Sequence, residues 1–294
     1  MDAERFFAFM VSREKIRLQK EAGCPWPWTQ DPILQTYKFT NVFREHDRTS
    51  RLLREEFYEP NRSASPIDIL MNAALFRYFG TIEFARAVGW QTHEDFGFEF
   101  IRATACARLE AGDKVFTGAY VITNQGISDR KENVVVNIFL RGIHAKAKDI
   151  VRSVQLTSQW RVAVEQMSRI SGFGGTGFMA KEVLLDTTYT DFWSQTIPVT
   201  YRIDGKTYPK DWWQWTPIGP GGLRGAARVL GAAKASPAEA ARLIRELYEA
   251  QDKYWPMPWP RLCPHDVQFQ LCEFDKYERV RLGEGRPRSK YRHG

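Results

Sequence analysis

The sequence predicts a mainly α-helical fold with one small β-hairpin. In several segments, apolar residues alternate with charges at the spacing of amphipathic helices. The tetrapeptides that begin at Ser65 and Ser236 are typical helix starts, whereas residues 196–211 alternate apolar and polar side chains as a strand pair does. A chain of 294 residues that is 43% hydrophobic can bury a core, and we expect a single helical domain over 1–294.

Three helices are predicted in the N-terminal third of the chain. Residues 3–21 place phenylalanines and other apolar side chains among charges, and Gly23 ends the pattern. Residues 41–57, NVFREHDRTSRLLREEF, predict a second helix with an apolar core side and many charges elsewhere. Ser65 is the expected N-cap of a third helix, which runs to about Phe79.

The middle of the chain predicts more helices and the hairpin. Residues 93–110 and 131–170 are helix-rich, although VVVNIFL at 134–140 is β-branched and has strand propensity. We predict that this run is helical. The dipeptide Asp204-Gly205 is a common hairpin turn, so we expect a β-hairpin insertion at 197–208.

The C-terminal part predicts two further helices and a basic tail. Ser236 and Glu239 form a capping box that opens a helix running to about Tyr254. A final helix is expected over roughly 264–281, and residues 281–294 are the basic tail. Such a tail is typical of proteins that bind an anionic surface.

Charge and cysteine content restrict the partners and the compartment. The 42 Lys and Arg against 35 Asp and Glu give a net charge of +7, which favours an anionic partner. Four scattered cysteines are too few for a disulfide framework, and no pair has the spacing of a zinc or redox motif. The sequence has neither a signal peptide nor a bilayer-spanning run, so we expect a cytoplasmic protein without a membrane partner.

The stretch ISGFGGTGFMAKEVLLD, at 170–186, combines a glycine-rich turn with a helix. Backbone N–H groups of such a turn can converge on a phosphate at the helix N-terminus, which makes Gly172 and Gly174 candidate anion ligands. A Walker A loop is excluded, because Phe178 and Met179 stand where Lys and Ser/Thr are required. The alternative is that the glycines only turn the chain between packed helices.

A second glycine turn is predicted in IGPGGLRG, at 218–225. Two glycine turns that each lead into a helix are similar to helix-hairpin-helix DNA-binding elements, so Gly221 and Arg224 are candidate DNA ligands. Trp213 lies just before this turn, where its indole could stack on an extruded base. Packing in an aromatic core is the alternative for this tryptophan.

Charged residues of the predicted 41–57 helix are spaced three and four apart and would share one face, namely Arg44, Asp47, Arg48 and Arg51. Two interpretations stay open. One is a solvated face with intrahelical ion pairs. The other is an arginine cluster that holds phosphate or pyrophosphate through bidentate hydrogen bonds.

The C-terminal run HDVQFQLCEFDKYERVRLGEGRPRSKYR joins acids, a thiol and the basic tail. Glu273 and Lys276 are candidate catalytic groups, and Cys272 is either a small buried side chain or a nucleophile. Tails of this kind bind nucleic-acid backbone without sequence preference, here through Arg286, Arg288 and Lys290. The histidines lack metal-ligand spacing, so no metal site is assigned.

Three blocks resemble one family: YKFTNVFREHDR at 37–48, ISGFGGTGFMAKEVLLD at 170–186 and LCEFDKYERVRLGEGRPRSKYR at 271–292. They are similar to the α-glutamyl/putrescinyl thymine pyrophosphorylases, which are mainly phage-encoded, and to the related helical domain attached to 5-hydroxymethyluracil DNA kinases. The resemblance implies a helical fold distantly like that of DNA glycosylases. It also implies transfer of an amine onto the base methyl carbon of activated 5-hydroxymethyluracil, with release of pyrophosphate.

The implied reaction defines roles for the candidate residues. Expulsion of pyrophosphate needs fixed cations or helix N-termini, for which the candidates are Arg44, Arg48, Arg77, Gly172, Gly174 and Lys181. A carboxylate must take a proton from the amine, and the candidates are Asp186, Asp47 and Glu273. A thiolate at Cys272 could add to the ring in a covalent alternative. No cofactor is assigned, and Mg²⁺ stays open.

Two other functions stay open. A DNA glycosylase would use Asp186 to support cleavage of the glycosidic bond. A non-catalytic DNA-binding protein would present the substrate to a separate 5-hydroxymethyluracil DNA kinase. All three functions make DNA with a modified thymine the main partner, and the transferase also needs a small amine, either an amino acid or a polyamine. A phage-encoded protein would act in the host cytoplasm.

Overall fold

A computed structural model describes residues 2–118, 120–194, 201–203, 206–287 and 289–291. The chain divides into two compact units. Unit 1 comprises Met1–Asp47 and Trp213–Gly294, and unit 2 comprises Arg48–Trp212. Each unit has its own helices and its own buried side chains, and the single domain predicted over 1–294 stays a prediction.

The fold is mainly α-helical, as the sequence predicts. In the described part of the chain, the α-helices are α1 (Ala3–Glu21), α2 (Pro32–Thr36), α3 (Arg48–Leu53), α4 (Pro66–Phe79), α5 (Ile82–Val88), α6 (Phe98–Glu110), α7 (Lys131–Val134), α8 (Arg141–Thr157), α9 (Trp160–Met167), α10 (Phe178–Thr187), α11 (Pro220–Leu230), α12 (Pro237–Ala250) and α13 (Pro264–Arg281). Shorter 3₁₀ turns lie at Arg44–His46 and Gln251–Lys253, and π-helical turns at Arg54–Tyr58 and Val135–Leu140.

Helix starts follow the local capping signals. The backbone N–H of Asp68 donates to the Ser65 hydroxyl at 3.1 Å, and α4 begins at Pro66, directly after this cap. In the capping box of α12, the backbone N–H of Ser236 donates to Glu239 Oε2 at 2.8 Å. The run at 134–140 is helical as predicted, because its apolar side chains are buried against α4 and α6.

The single helix predicted over 41–57 is wrong. A 3₁₀ turn at Arg44–His46 is followed by extended backbone at Asp47, with ψ 132°, before α3 begins. The cause is local. Asp47 Oδ1 accepts from the Asn41 N–H at 2.9 Å, and the Asn41 side chain donates to the His46 carbonyl at 2.8 Å. These side chains occupy the hydrogen bonds of backbone groups that a continuous helix would pair with each other. As a result, Arg44, Asp47, Arg48 and Arg51 do not share one helix face.

The second glycine turn, predicted at 218–225, is also wrong, because the chain is helical from Pro220 onward. A Cβ on Gly225 would lie 1.9 Å from the Leu271 carbonyl oxygen of α13. A Cβ on Gly222 would lie 3.0 Å from the Gln268 amide nitrogen. These glycines are required because the backbones of α11 and α13 approach closely, and not because the chain turns.

The core of unit 1 lies between α1, α11, α12 and α13. Phe6 of α1 packs edge-to-face on Phe274 of α13, with 5.5 Å between the ring centroids. The short helix α2 contacts α13 as well. This arrangement brings the segment after α2, which carries the first block of the family resemblance, against the helix that carries the third.

Unit 2 is built around α4. This helix is buried continuously from Ile69 to Phe79, which is the burial expected of a helix that is covered on all sides. It packs against α8 and α10. Helix α10 follows the glycine-rich turn, and three of its buried residues are charged, namely Lys181, Glu182 and Asp186.

Two short strands pair in unit 2. They are β1 (Tyr201–Ile203) and β2 (Lys206–Tyr208), which run antiparallel with Ile203 opposite Lys206. The predicted turn residues Asp204-Gly205 and the beginning of the 197–208 segment lie outside the described residues. The insertion of a hairpin into a helical fold therefore stays a prediction.

Candidate functional site

Charged side chains of unit 1 surround Asp47. The 3₁₀ turn places Arg44 beside it, with Nη1 at 3.7 Å from Asp47 Oδ2. The Arg44 guanidinium also lies over the Phe269 ring of α13, at 4.8 Å from the centroid. The other oxygen of Asp47 accepts from the Asn41 N–H. We refer to the following set as the Asp47 cluster: Arg13, Arg44, Asp47, Glu273 and Lys276.

Helix α13 supplies the second carboxylate of the cluster. Lys276 Nζ donates to Glu273 Oε1 at 2.6 Å, and the Thr40 N–H donates to Oε2 at 3.3 Å. Glu273 is 4% exposed, whereas the Lys276 side chain is 42% exposed. The contact with Thr40 joins positions 233 residues apart in the sequence. The negative charge of Glu273 also acts on the carboxyl group of Asp47, which links two predicted catalytic groups.

Arg13 of α1 is the buried cation of the cluster. It is 7% exposed, lies over two phenylalanine rings at 5.1 and 5.5 Å, and donates to the Gln270 side-chain oxygen. Burial lowers the pKa of Arg13, and the carboxylates of Glu273 and Asp47 act in the opposite direction. The two carboxylates therefore compensate part of the cost of burying this charge.

The carboxyl group of Asp47 has a raised pKa. Burial is the main cause, and the negative charge of Glu273 adds to it, while Arg44, the Asn41 N–H and Arg13 lower the pKa. The Asp47 side chain is still 23% exposed, so a solvent-borne group can reach it. A raised pKa makes this carboxylate a better proton acceptor than an ordinary surface aspartate. The site thus joins an accessible base to nearby guanidinium groups.

The described part of the C-terminal segment is bonded through its backbone to residues 36 and 38. The Lys38 N–H donates to the Ser289 carbonyl and the Tyr291 N–H donates to the Thr36 carbonyl, both at 3.0 Å. Tyr37 and Lys290 form an isolated antiparallel bridge between them. Two of the predicted DNA ligands, Arg286 and Lys290, are exposed, and the third, Arg288, lies outside the described residues.

Lysine ammonium groups lie over aromatic rings at this attachment. Both Lys20 Nζ and Lys38 Nζ are 5.3 Å from the Tyr291 ring, and Lys290 Nζ is 5.5 Å from the Tyr37 ring. Burial and the charge of Lys38 lower the pKa of Lys20. Cations beside aromatic faces suit nucleic acid, which offers phosphates and stacking bases. We refer to the exposed lysines and the partly exposed tyrosine of this attachment as the lysine–tyrosine surface: Lys20, Lys38, Lys290 and Tyr291.

Unit 2 contains a second, buried cluster. Arg77 Nε donates to Asp186 Oδ2 at 2.5 Å, a second N–H of Arg77 donates to Oδ1, and the Tyr58 hydroxyl donates to Oδ2 at 2.9 Å. Burial alone would lower the pKa of Arg77, but Asp186 raises it well above its ordinary value. Arg77 is 6% exposed and Asp186 is 1% exposed. A buried pair with two parallel hydrogen bonds has the geometry of a structural ion pair. The role of Asp186 as a base stays a prediction.

The predicted phosphate ligands near α10 are internal as well. Lys181 is fully buried, with Nζ 3.5 Å from Glu182 Oε1. The Gly172 N–H already donates to the Gln125 side chain at 3.1 Å, and a Cβ on Gly172 would lie 2.4 Å from the Phe139 ring. These contacts favour packing over phosphate binding at the turn.

Gly174 and Arg48, which are also predicted phosphate ligands, lie in different surroundings. A Cβ on Gly174 would lie 3.2 Å from the Ser168 carbonyl oxygen, so this glycine also permits close packing. Arg48, at the start of α3, is exposed. A phosphate contact by either residue stays a prediction.

Cys272 faces the contact between α11 and α13. Its Sγ accepts from the Gln268 amide at 3.6 Å, and a Cβ on Gly221 would lie 3.2 Å from that sulfur. Successive helical residues point about 100° apart, so Cys272 and its neighbour Glu273 face different surroundings. This position gives the thiol and Gly221 a packing role, and the covalent mechanism stays a prediction.

Arg224 and Trp213, predicted to contact DNA, have partners within unit 1. Arg224 Nε is 2.8 Å from Asp275 Oδ2, and Arg228 Nε is 2.9 Å from the other oxygen of the same carboxylate. The Trp213 ring stacks on Tyr248 with centroids 6.1 Å apart. Both predicted ligands retain exposed surface, and their contact with DNA stays a prediction.

Sequence reasoning misses Arg13 and Gln270. A signal exists for Arg13, because it lies three residues after Met10 and three before Ile16, and all three face the core side of α1. A charged residue on an apolar helix face needs a partner, which marks it as a candidate for a buried site. Gln270 carries no comparable signal.

Metal sites and membrane spans are both absent from the described residues. No group of three or more His, Cys, Asp or Glu side chains in that part of the chain is arranged to hold a metal ion. None of the helices described there has the length and apolar character needed to cross a bilayer.

Comparison with known proteins gives one family. The family model for the helical domain of 5-hmdU DNA kinase matches residues 2–286. A 5-hmdU DNA kinase of Bacillus phage SP10 is 34% identical over 131 residues, a match that covers 41% of this chain and 20% of the phage protein. No solved structure matches the chain significantly. The similarity to DNA glycosylases therefore stays a prediction.

Proposed function

Because the chain belongs to the family of the 5-hmdU DNA kinase helical domain, we propose that it acts in the modification of 5-hydroxymethyluracil in DNA. We further propose that it replaces the pyrophosphate on the activated base with an amine. The observation that carries this proposal is the partly exposed Asp47 carboxyl group, whose pKa is raised and which lies beside the Arg44 guanidinium.

The Asp47 cluster has groups for each step of such a transfer. An amine is protonated near neutral pH, so Asp47 first accepts a proton from its nitrogen. The nitrogen lone pair then forms a bond to the exocyclic methylene carbon of the base. The carbon–oxygen bond to pyrophosphate breaks, and its electron pair leaves on the oxygen. Arg44 and the exposed Lys276 stabilise the departing negative charge.

The buried members of the cluster position the reacting groups. Arg13 acts electrostatically on both carboxylates, and Glu273 is held by Lys276 and by the backbone of Thr40. Fixed charges of this kind need no reorganisation when charge develops in the transition state. DNA binding is assigned to the lysine–tyrosine surface, where exposed cations can contact phosphates.

A second candidate function is a non-catalytic DNA-binding role beside a kinase. The supporting observation is that the matched part of the phage SP10 kinase is only 20% of that protein. A helical unit of this kind could hold the DNA while a separate kinase phosphorylates the base.

Nucleoside mass spectrometry tests these functions. DNA that contains pyrophosphorylated 5-hydroxymethyluracil is incubated with the protein and a panel of amino acids and polyamines. Amine transfer gives a heavier nucleoside, base excision releases a free base, and an accessory protein changes neither. Loss of transfer in Asp47→Asn, but not in Asp252→Asn, would support the assigned site. Asp252 is the control because it is an exposed carboxylate of the same unit, paired with Arg261.

A further inference from the structure

Unit 1 contains a cavity that the Asp47 cluster does not use. It opens to solvent, and its empty space, counted together with the solvent at the opening, is ≈ 360 Å³. The indoles of Trp213 and Trp215 and the side chain of Ile244 provide its apolar walls, and Thr216 and Arg245 are polar groups of its lining. A site with aromatic walls and a few polar groups is typical of small-molecule binding.

The lining contains three polar side chains, which are Gln214, Thr216 and Arg245. Thr216 is 4% exposed, and its hydroxyl oxygen has no hydrogen-bond partner in the described part of the chain. Buried polar groups are normally bonded, so the unbonded Thr216 hydroxyl is available to a group that enters the cavity. Arg245 also lacks an ion pair among the described residues, whereas Arg242, on the same helix, is 3.9 Å from Glu246.

The charge of the cavity favours an acid over a base. None of the described residues that line it is acidic, so a diamine would find no carboxylate partner there. A carboxylate would accept hydrogen bonds from the Arg245 guanidinium and the Thr216 hydroxyl, and its carbon chain would pack on the indoles. An α-ammonium group would be accommodated over an indole face by cation–π attraction.

We propose that this cavity binds the carboxylate of a small organic acid, of which an α-amino acid fits best. Within the amine transfer suggested above, an amino acid rather than a polyamine would then be the donor, and this step rests on the proposed function. The assignment of the binding site itself does not rest on the proposed function.

Direct binding tests the site without DNA. Titration calorimetry compares glycine, L-leucine and L-glutamate with putrescine at one ionic strength. The amino acids should bind and putrescine should not. Arg245→Gln should weaken amino-acid binding by about tenfold or more, since it removes a charge-assisted contact. Thr216→Val should also weaken it while preserving the shape of the side chain.

Arg242→Gln is the matched control, because Arg242 lies on the same helix but is paired with Glu246. It should bind amino acids as the unmodified protein does. Equal weakening by both arginine substitutions would overturn the proposal, as would equal binding of putrescine or no binding of any amino acid. Circular dichroism of each variant verifies that the helices are retained.

Binding and transfer fail in distinguishable ways. If amino acids bind but neither an amino acid nor a polyamine is transferred to activated DNA, the proposed function is overturned and the cavity assignment stands. If putrescine is transferred but amino acids are not, the donor assignment is overturned. If amino-acid transfer occurs and Arg245→Gln raises the amino-acid KM while Arg242→Gln does not, both proposals are supported.

Discussion

Arg77 and Asp186 form a bidentate ion pair inside unit 2, with each guanidinium edge nitrogen bonded to a separate carboxylate oxygen. Both side chains are at most 7% exposed. A buried charge that loses its partner keeps its desolvation cost and loses the compensation. The pair therefore contributes to stability only while both members are present.

Asp186→Asn should destabilise the protein by about 3–5 kcal/mol, because it leaves the Arg77 charge buried and uncompensated. Denaturant unfolding measures this loss. The control is Asp191→Asn, which breaks the more exposed pair with Arg62 in the same unit and should cost about 1 kcal/mol or less. A variant of Asp186 that folds normally but loses transfer by two to four orders of magnitude would instead identify Asp186 as the base.

Asp47→Asn should lower transfer by about two to four orders of magnitude, because it removes the proton acceptor. The fold should persist, since the asparagine oxygen can still accept from the Asn41 N–H. The transfer rate of the unmodified protein should rise with pH through a pKa above 3.8, the ordinary value for this group. A pH profile of single-turnover rates measures this, and a profile unchanged in Asp47→Asn would contradict the assignment.

The raised pKa of Asp47 also affects the stability of the folded protein. A raised pKa in the folded state means that the folded protein holds the proton more tightly than the unfolded chain. This contribution to stability is complete below pH 3.8 and is lost as the pH rises through the raised pKa. Above the raised pKa the charged Asp47 therefore opposes folding, and its replacement by asparagine removes that penalty.

His144→Gln should reduce the acid sensitivity of unit 2. His93 and His144 stack with centroids 3.9 Å apart, and each ring bonds the carbonyl of the other residue. Burial lowers the pKa of His144, the hydrogen bond to the His93 carbonyl raises it, and the charges of His93, Arg141 and Lys148 lower it further, so that the net change is downward. The unfolded chain therefore takes up a proton that the folded protein resists, and stability present above pH 6.5 is lost as the pH falls.

Urea midpoints between about pH 5 and 8 measure this loss, and the slope against pH should be smaller in His144→Gln than in the unmodified protein. The glutamine can still donate to the His93 carbonyl, so the comparison isolates the titration. Equal slopes in the two proteins would show that another group is responsible.

Gly225→Ala should destabilise unit 1 by about 1–3 kcal/mol or more, because its Cβ would lie 1.9 Å from the Leu271 carbonyl oxygen. Gly221→Ala is the control on the same helix. Its Cβ would lie 3.2 Å from Cys272 Sγ, a contact that a small shift can relieve. Thermal unfolding measures both variants, and equal loss would contradict the close backbone contact.

Neutralising lysines at the lysine–tyrosine surface should reduce the salt dependence of DNA binding. Each phosphate contact on duplex DNA contributes about 0.9 to the slope of log affinity against log salt. We expect Lys20→Gln/Lys38→Gln to flatten the slope, whereas Lys234→Gln/Lys253→Gln, at exposed positions of the same unit, should not. These changes preserve the backbone bridge that a C-terminal truncation would remove. Equal slopes in all proteins would exclude this surface.

Signals that act over three or four residues predict this fold well. The N-caps at Ser65 and Ser236 mark real helix starts because a cap bonds a backbone group only three residues away. The helix predicted over 41–57 is wrong for a related reason. Asn41 and Asp47 are six residues apart, and their hydrogen bond closes a turn that helical periodicity does not reveal.

The candidate site was only partly accessible to sequence reasoning. Asp47 and Glu273 can be named as acids from the sequence, but their proximity depends on the packing of α13 against the first segment of the chain. The sequence also offers Asp186 as a base. Its partner Arg77 lies 109 residues away in the sequence, and their hydrogen bonds are typical of a structural ion pair. Chemical type is local information, whereas burial and partners arise from tertiary contacts.

The close approach of α11 and α13 has a consequence for local unfolding. The backbone of α11 at Gly225 lies directly against the backbone of α13 at Leu271, with no side chain between them. If one helix detached, it would therefore expose the other to solvent. Amide protons along both helices should therefore exchange as one cooperative unit. Glu273 and Lys276 belong to α13, so thermal fluctuations that disrupt this helix pair would also dismantle the charge arrangement around Asp47.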